Sequence, residues 1–355
     1  MLSRFPQLIQ LSRRAEDPRV SLAELSAEVR TLVAAESETP FAAAWAALTS
    51  PEARLRLGLA LDVLSEKVPL VPEGLPELQW VVWGAPQTQE TSFTIRAIPL
   101  LLSSTGNLSS ELTKTLLGLL CTQGVFPAES GFAMPQRLFT AEELPLPGLQ
   151  AIFARSLVTQ PLATPPDAAP GLMLRYLLLA IIAPEPSAVA EYLADQLDLK
   201  WANQTIKCLE AAFGGSAAVL APKAPFAATC DGVAYLRRVR VVVLLDSLPD
   251  DEIPPLAQVS FHDEGTVNSV RLGFFDAKGV IQYGLDLPQA AWETPQAVVE
   301  ELVTDLRPRG VASLLFIEDV LPAMRLPDGE PEYPELSAPD LLPTQWPPSD
   351  PQRYS

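Results

Sequence analysis

The sequence predicts an α+β fold: an N-terminal helical segment, two or three strand–helix sandwich units with largely antiparallel sheets, and an extended, proline-rich acidic tail. Three observations lead to this prediction. Apolar residues recur at helical spacing at the N-terminus, apolar β-rich runs alternate with helical runs in the middle, and periodicity is lost near the C-terminus. At 355 residues the chain is also long for a single hydrophobic core.

Residues 1–70 are predicted to form a helical region. The run "SLAELSAEVRTLVAAE" begins with Ser21 as the N-cap and has Glu24 at the capping-box position. In "SPEARLRLGLALDVLSEKV", Ser50 precedes Pro51, and proline is favoured at the first position of a helix. Each run places apolar residues on one face, so the helices are expected to pack against one another.

Two strand–helix units are predicted over residues 71–160 and 161–232. In the first, the β-rich runs "LQWVVWGAP" and "FTIRAIPLLLSS" precede the helical run "SSELTKTLLGLLCTQG". The second has strands at "LMLRYLLLAIIAP" and "SAAVLAP", with helical runs between them. Closely spaced prolines in residues 158–171 predict the connection between the units. The longest apolar run is shorter than the about 20 residues of a bilayer span, so no membrane insertion is expected.

A third unit is predicted over residues 233–320, beginning with a strand in "VAYLRRVRVVVLLDS" whose arginines face solvent. In "VRLGFFDAKGVIQYGLDLP", the segment from Asp276 to Gly279 predicts a hairpin turn, because Asp bonds nearby backbone and Gly tolerates positive φ. A P-loop would need a GK[ST] ending and a following helix, and an EF-hand would need more oxygen ligands. A helix after Thr294 and Pro295 and a strand in "VASLLFIEDV" complete the unit.

The charge and the cysteines limit the function classes. With 25 basic and 43 acidic residues the net charge is −18, which opposes binding to nucleic acid and to anionic lipid. An acidic DNA mimic stays a minor alternative. Cys121, Cys208 and Cys230 are few, odd in number and widely spaced, which is typical of a reducing compartment and offers no zinc pair. With no apolar leader, the chain is expected to be a bacterial cytoplasmic protein without a cofactor or bound metal.

A single histidine, His262, restricts the catalytic options. It lies in "VSFHDEGTV", and a hydrolase or ligand sensor could use it together with nearby carboxylates for metal binding or acid–base chemistry. The interpretation favoured over this is a solvated acidic loop between two strands, with His262 dispensable and no catalytic residues. The carboxylates concerned are Asp246, Asp250, Asp251, Glu252, Asp263 and Glu264.

Several runs occur in an order that resembles a known family. These are "WVVWGAP", "IPLLLSS", "MPQRLFTAEELPLPGL", "RYLLLAIIAP", "SVRLGFFDAKGVIQYGLDLP", "RGVASLLF" and "LPDGEPEYPEL". Together they resemble the DUF2863 proteins of betaproteobacteria over most of the chain from about Leu78. The family carries a cysteine pair near its C-terminus, and residues 331–334 of this chain contain none. The resemblance implies an intracellular bacterial protein and no particular activity.

The main functional hypothesis is a non-catalytic intracellular protein-binding, adaptor or assembly protein. No catalytic motif is present, and the tail over residues 321–355 is acidic, rich in proline and without period. Large apolar side chains near the end of such a segment are common interface anchors. A protein partner is therefore expected to contact Leu341, Leu342 and Trp346, although these side chains could instead fold back onto the protein's own sheet.

Overall fold

The computed structural model divides the chain into two compact units, Met1–Gly232 and Val233–Ser355. Each unit contains helices and a β-sheet, which confirms the predicted α+β class. The structure describes residues 5–34, 44–45, 47–65, 68–69, 80–83, 92–102, 111–112, 114–116, 118, 131–135, 138–141, 172–182, 207–208, 211, 217–263, 268–322, 325–327 and 331–334.

The helices described in full at the start of the first unit are α1 (Phe5–Glu16), α2 (Leu22–Ala34) and α3 (Pro51–Leu61). The predicted caps are confirmed. The backbone N–H of Ser21 donates to Glu24 Oε2 at 2.8 Å, and the N–H of Glu24 donates to Ser21 Oγ at 3.2 Å. Ser50 Oγ accepts from the N–H of Ala53 at 3.1 Å, with Pro51 following it. The helices share a core that includes Leu11, Leu25, Val29 and Leu57, all without exposed surface.

The first unit also contains one sheet. Its strands are β1 (Val68–Pro69), β2 (Trp80–Trp83), β3 (Ser92–Leu102), β4 (Gly131–Pro135), β5 (Met173–Ile182) and β6 (Ala217–Val219). The order is β1-β3-β5-β4-β2, β6 pairs with β3, and each of these pairs is antiparallel. The strands β3 and β5, predicted in separate segments, pair from Phe93↔Ile182 to Leu102↔Met173. Strands from both segments therefore belong to the same sheet.

The helix α4 (Pro225–Asp246) corrects one prediction. The run "VAYLRRVRVVVLLDS" was predicted to begin with a strand, but all of it up to Asp246 is helical. A long apolar run rich in valine does not by itself distinguish a buried helix from a strand. Its N-terminus is held by Asp62, whose carboxylate oxygens accept from the N–H groups of Phe226 (2.8 Å) and Ala227 (2.9 Å). Among the described residues, neither α4 nor any other helix is long and apolar enough to cross a membrane.

The second unit contains a four-stranded sheet of order β10-β7-β8-β9. Its strands are β7 (Leu256–Asp263), β8 (Asn268–Phe275), β9 (Ile281–Gln289) and β10 (Ser313–Pro322), and α5 (Pro295–Leu306) connects β9 to β10. The sheet is mixed, because β10 runs parallel to β7 while the other pairs are antiparallel. One face packs into a hydrophobic cluster of strand and helix residues, among them Val241, Leu245, Val259, Phe261, Val270, Leu272, Phe274, Leu287, Val298, Val299, Leu302 and Leu306.

The predicted hairpin turn between β8 and β9 is confirmed. Asp276 Oδ1 accepts from the backbone N–H groups of Lys278 (2.8 Å) and Val280 (2.9 Å). Gly279 has a φ of 80°, in the left-handed region that favours glycine. Lys278 is exposed and its side chain faces solvent. The stretch is a turn that fixes the register of two strands.

We expect Gly279→Val to destabilise the protein by about 1 kcal/mol or more, because a β-branched residue is strained at positive φ. Lys278→Ala is the control, and its stability should stay within about 0.5 kcal/mol of the wild type. Urea denaturation followed by circular dichroism measures both changes. An equal stability of the two variants would show that the turn does not require positive φ at Gly279.

Candidate functional site

The second sheet carries buried polar side chains on the face opposite its hydrophobic cluster. Successive side chains of a strand point to opposite faces. Since Val259 and Phe261 lie in the cluster, their neighbours on β7 point the other way. The side chains on this second face, here called the polar face, include Gln258 (6% exposed), Ser260 (1%), His262 (0%) and Arg271 (0%). Buried polar groups need partners, so this face is the part of the unit where specific polar contacts are expected.

The strand register arranges the polar face in rows. Ser260, Arg271 and Asp286 are direct neighbours across β7, β8 and β9, so an arginine and an aspartate lie side by side. In an adjacent row, Gly273 of β8 lies opposite Gly284 of β9. Glycine within a strand often marks a place where another backbone or a ligand approaches closely. The pair of glycines leaves a gap in the side-chain layer, here called the glycine slot.

A segment of the C-terminal tail occupies the glycine slot. This segment, Pro331 to Pro334, is here called the strap. Arg271 Nη1 donates to the backbone carbonyl of Glu332 at 2.6 Å. The ring of Tyr333 lies directly over Gly284, where an added Cβ would overlap the ring and come within 2.6 Å of the phenolic oxygen. An added Cβ at Gly273 would lie 2.8 Å from Phe275 Cε2 and 3.5 Å from Tyr333 Cδ1, so the Phe275 ring covers most of that position. The contacts of the strap thus include one main-chain hydrogen bond, one aromatic side chain over Gly284, and a bridge between Pro331 and Arg325.

The position of His262 corrects a second prediction. It was predicted in a solvated acidic loop, but it lies within β7 and has no exposed surface. Its Nδ1 is 3.2 Å from the carbonyl oxygen of Pro322, and its Nε2 is 2.9 Å from Ser260 Oγ. Because a carbonyl can only accept, Nδ1 donates to the Pro322 carbonyl, and in the neutral ring Nε2 then accepts from the Ser260 hydroxyl. The alternation of Val259 and Phe261 around Ser260 was the signal for a strand, and the acids after His262 obscured it.

The carboxylates considered together with His262 lie on different elements. Asp246 ends α4 and accepts from Arg309 Nε at 3.1 Å, and residues 250–252 form a short 3₁₀ turn. Asp263 is exposed at the end of β7, and Glu264 lies outside the described residues. Within the described segments, no three His, Cys, Asp or Glu side chains are placed to hold a metal ion. Among the described residues, the carboxylates of the alternative are thus not brought together around His262.

The remaining predicted residues are only partly described. Cys208 and Cys230 are thiols of intermediate exposure. Cys121 and the three predicted partner contacts, Leu341, Leu342 and Trp346, lie outside the described residues. Contact of these tail residues with a partner stays a prediction.

A buried charged cluster joins the elements of the second unit. Arg237 of α4 has a side chain only 1% exposed, and it pairs with Glu293 and Glu301 at 2.6 Å each. It also donates to the carbonyl of Pro288 at 3.1 Å. Burial alone would lower the pKa of Arg237, but the hydrogen bonds to the two glutamates raise it above the ordinary value. This arginine was predicted on a solvent-facing strand. It is instead an internal connection between α4, the end of β9 and α5.

Sequence reasoning missed the glycine slot, because the register that forms it depends on a β-bulge. The pairing next to the turn, Phe275 with Ile281, would by simple counting place Gly273 opposite Tyr283. A register shift between Phe274 and Phe275 brings Gly273 opposite Gly284 instead. Two glycines facing each other within a hairpin indicate a gap in the side-chain layer. What fills that gap comes from a segment far along the chain, and no local pattern connects Tyr333 with these strands.

Comparisons of the chain with protein-family models, curated proteins and solved structures gave no match. The resemblance to the DUF2863 proteins therefore stays a prediction. Without a relative, the function has to be argued from the site itself. The site offers a docked peptide segment and a buried polar network.

Proposed function

We propose that the chain is a non-catalytic protein-binding protein, an adaptor or assembly protein, that meets its partner through the acidic tail. The observation that carries this proposal is the docking of the strap on the polar face, through Arg271 and the glycine slot. The docked strap gives the tail a fixed starting point on the second sheet. Beyond the strap, the remaining residues of the tail provide the contact surface.

The chemistry of the tail supports a protein partner. In the tail, residues 321–355, there are six acids (Asp328, Glu330, Glu332, Glu335, Asp340 and Asp350) against Arg325 and Arg353, a net charge of −4. Frequent prolines favour extended conformations, which reduces the entropy lost when a peptide binds in a groove. We therefore expect a partner with a basic surface and an apolar pocket, in which Leu341, Leu342 and Trp346 are buried.

The partner contact is tested by capture from host lysate. The bait is the full chain, compared with a Leu341→Ala, Leu342→Ala, Trp346→Ala variant and with a truncation after Asp340. Both should lose a partner that the wild type captures, while their melting temperatures stay within about 2 °C of the wild type, as expected for changes of less than about 0.5 kcal/mol. A Thr344→Ala, Gln345→Ala variant is the matched control in the same segment and should keep the partner.

Two results would contradict the proposal. If the triple-alanine variant captures the partner as well as the wild type does, Leu341, Leu342 and Trp346 are not part of the interface. A melting temperature lowered by many degrees would mean that these side chains belong to the protein's own core. Capture should also weaken as salt is raised, because exposed charges attract less strongly in salt. The minor alternative of a DNA mimic predicts that the captured protein is a DNA-binding protein released by competing DNA.

A further inference from the structure

We propose that two arginines of α4, above all Arg240, block the outer edge of the second sheet against the addition of a strand from another chain. Among the described residues, β9 is the last strand in the order β10-β7-β8-β9, so its outer side forms this edge. An edge strand presents backbone N–H and C=O groups that can pair with a strand of another chain. The inference does not depend on the proposed function, since it involves α4 and β9 and not the tail.

The pairing of β9 with β8 shows which backbone groups belong to the edge. In an antiparallel pair, the backbone groups of successive residues point alternately towards the partner strand and away from it. Pro288 lies opposite Ser269 of β8 and has no N–H to donate, which indicates that its backbone points outward. Asp286 precedes it by two residues and points the same way. The carbonyls of Asp286 and Pro288 are therefore edge carbonyls.

Both edge carbonyls accept hydrogen bonds from α4. Arg240 Nη1 donates to the carbonyl of Asp286 at 2.9 Å, and Arg237 Nη1 donates to that of Pro288 at 3.1 Å. An added strand would have to place its own N–H groups where the two guanidinium groups lie. Burial lowers the pKa of Arg240, and the charge of Asp286 opposes this shift. Charged side chains at an edge are one of the means by which natural sheets avoid edge-to-edge pairing.

The rest of β9 shows why Arg240 is the decisive contact. At the start of the strand, Val280 and Ile281 are 55% and 41% exposed, so the edge begins with an apolar stretch. The β-bulge follows, where Gln282 has no partner on β8, and a bulge hinders strand addition. Regular pairing then runs from Tyr283 to the end of the strand. Arg240 covers the middle of this regular stretch, and its loss would expose the longest pairable part of the edge.

Three substitutions in α4 test the role of Arg240. Arg240→Met keeps an apolar stem but cannot donate to the Asp286 carbonyl. We expect it to associate at a concentration about tenfold lower than the wild type, because pairing of two edges adds a backbone hydrogen bond in each copy. Arg240→Lys keeps a donor and should behave as the wild type. Arg238→Met is the matched control on the same helix, since Arg238 pairs with Asp305 of α5. Sedimentation velocity over a range of protein concentrations measures all three.

Hydrogen exchange locates the surface through which Arg240→Met associates. Followed by mass spectrometry, the exchange of residues 281–289 should slow as the concentration of this variant is raised, and should not change in the wild type. Leu302→Ala is the control for lost stability, because Leu302 has no exposed surface and lies in the core, away from the edge carbonyls. It should be less stable than the wild type without associating in its native state.

Each outcome either supports or overturns the proposal. Association of Arg240→Met with slower exchange in β9, together with unchanged behaviour of Arg240→Lys and Arg238→Met, supports it. Association of Arg240→Met that is no stronger than that of the wild type overturns it. Equal association of Leu302→Ala also overturns it, since association then follows from unfolding. Slower exchange in a segment other than β9 would show that a different surface is involved, which is equally incompatible with the proposal.

Discussion

Replacing Arg237 with methionine is expected to destabilise the protein by about 3–5 kcal/mol at neutral pH, as when one partner of a buried charge cluster is removed. Methionine fills much of the volume of the arginine stem but cannot pair with Glu293 or Glu301. Both carboxylates would then be left in the partly buried space where Arg237 holds them at 2.6 Å. Urea denaturation of the wild type and the variant measures the difference.

The charges, and not the lost volume, should account for most of this effect. Adding Glu293→Gln and Glu301→Gln to Arg237→Met removes all three charges, and this triple variant should recover most of the stability, since neutral amides cost much less to desolvate than carboxylates. If the triple variant is as unstable as Arg237→Met alone, the loss of stability is caused by the change in packing. A loss below about 1 kcal/mol in the single variant would show that the cluster is open to water.

The Arg237→Met effect should also depend on pH. Burial raises the pKa of Glu301, and the hydrogen bond from Arg237 opposes that rise. Without Arg237, the folded-state pKa of Glu301 moves further above its unfolded value. A raised carboxyl pKa destabilises the folded state above that pKa, and the cost disappears as falling pH protonates the group. The stability difference between wild type and Arg237→Met should therefore shrink as the pH is lowered from about 8 towards about 5.

The sequence predicted those parts of the fold that local chemistry determines. The caps at Ser21 and Ser50 and the turn ending at Gly279 depend on residues within a few positions of each other, and all three are confirmed. The strand predicted at the start of the third unit failed because its conformation depends on distant partners. Asp62 caps α4 from about 160 positions away, and Glu293 and Glu301 pair with an arginine that looked solvent-facing.

The candidate site depends even more on contacts between distant segments. The turn register alone would place Gly273 opposite Tyr283, and only a β-bulge brings it opposite Gly284. The side chain that covers Gly284, Tyr333, lies about 50 positions further on. The local sequence pattern of a proline-rich segment does not predict whether the segment docks on its own unit. The alternation of Val259 and Phe261 indicated a strand through His262 but not the burial of the histidine, because a polar residue that alternates with core residues is expected to face solvent.

His262→Ala is expected to destabilise the protein by about 2–4 kcal/mol, because the structure places this residue inside a strand and not in a solvated loop. Two losses add. The ring leaves a cavity at a position with no exposed surface, and the Ser260 hydroxyl and the Pro322 carbonyl lose their partner. His262→Gln should lose less, because its amide can both donate and accept hydrogen bonds.

The neighbouring residue provides the control. Asp263 is exposed at the end of the same strand, so Asp263→Ala should change the stability by less than about 1 kcal/mol. A double-mutant cycle of His262→Ala with Ser260→Ala should give a coupling energy of about 1 kcal/mol, because the two side chains share a hydrogen bond. If His262→Ala were as stable as Asp263→Ala and the coupling were zero, the histidine would not belong to a buried network. It would then have to be reconsidered as an accessible group, together with the acids that follow it.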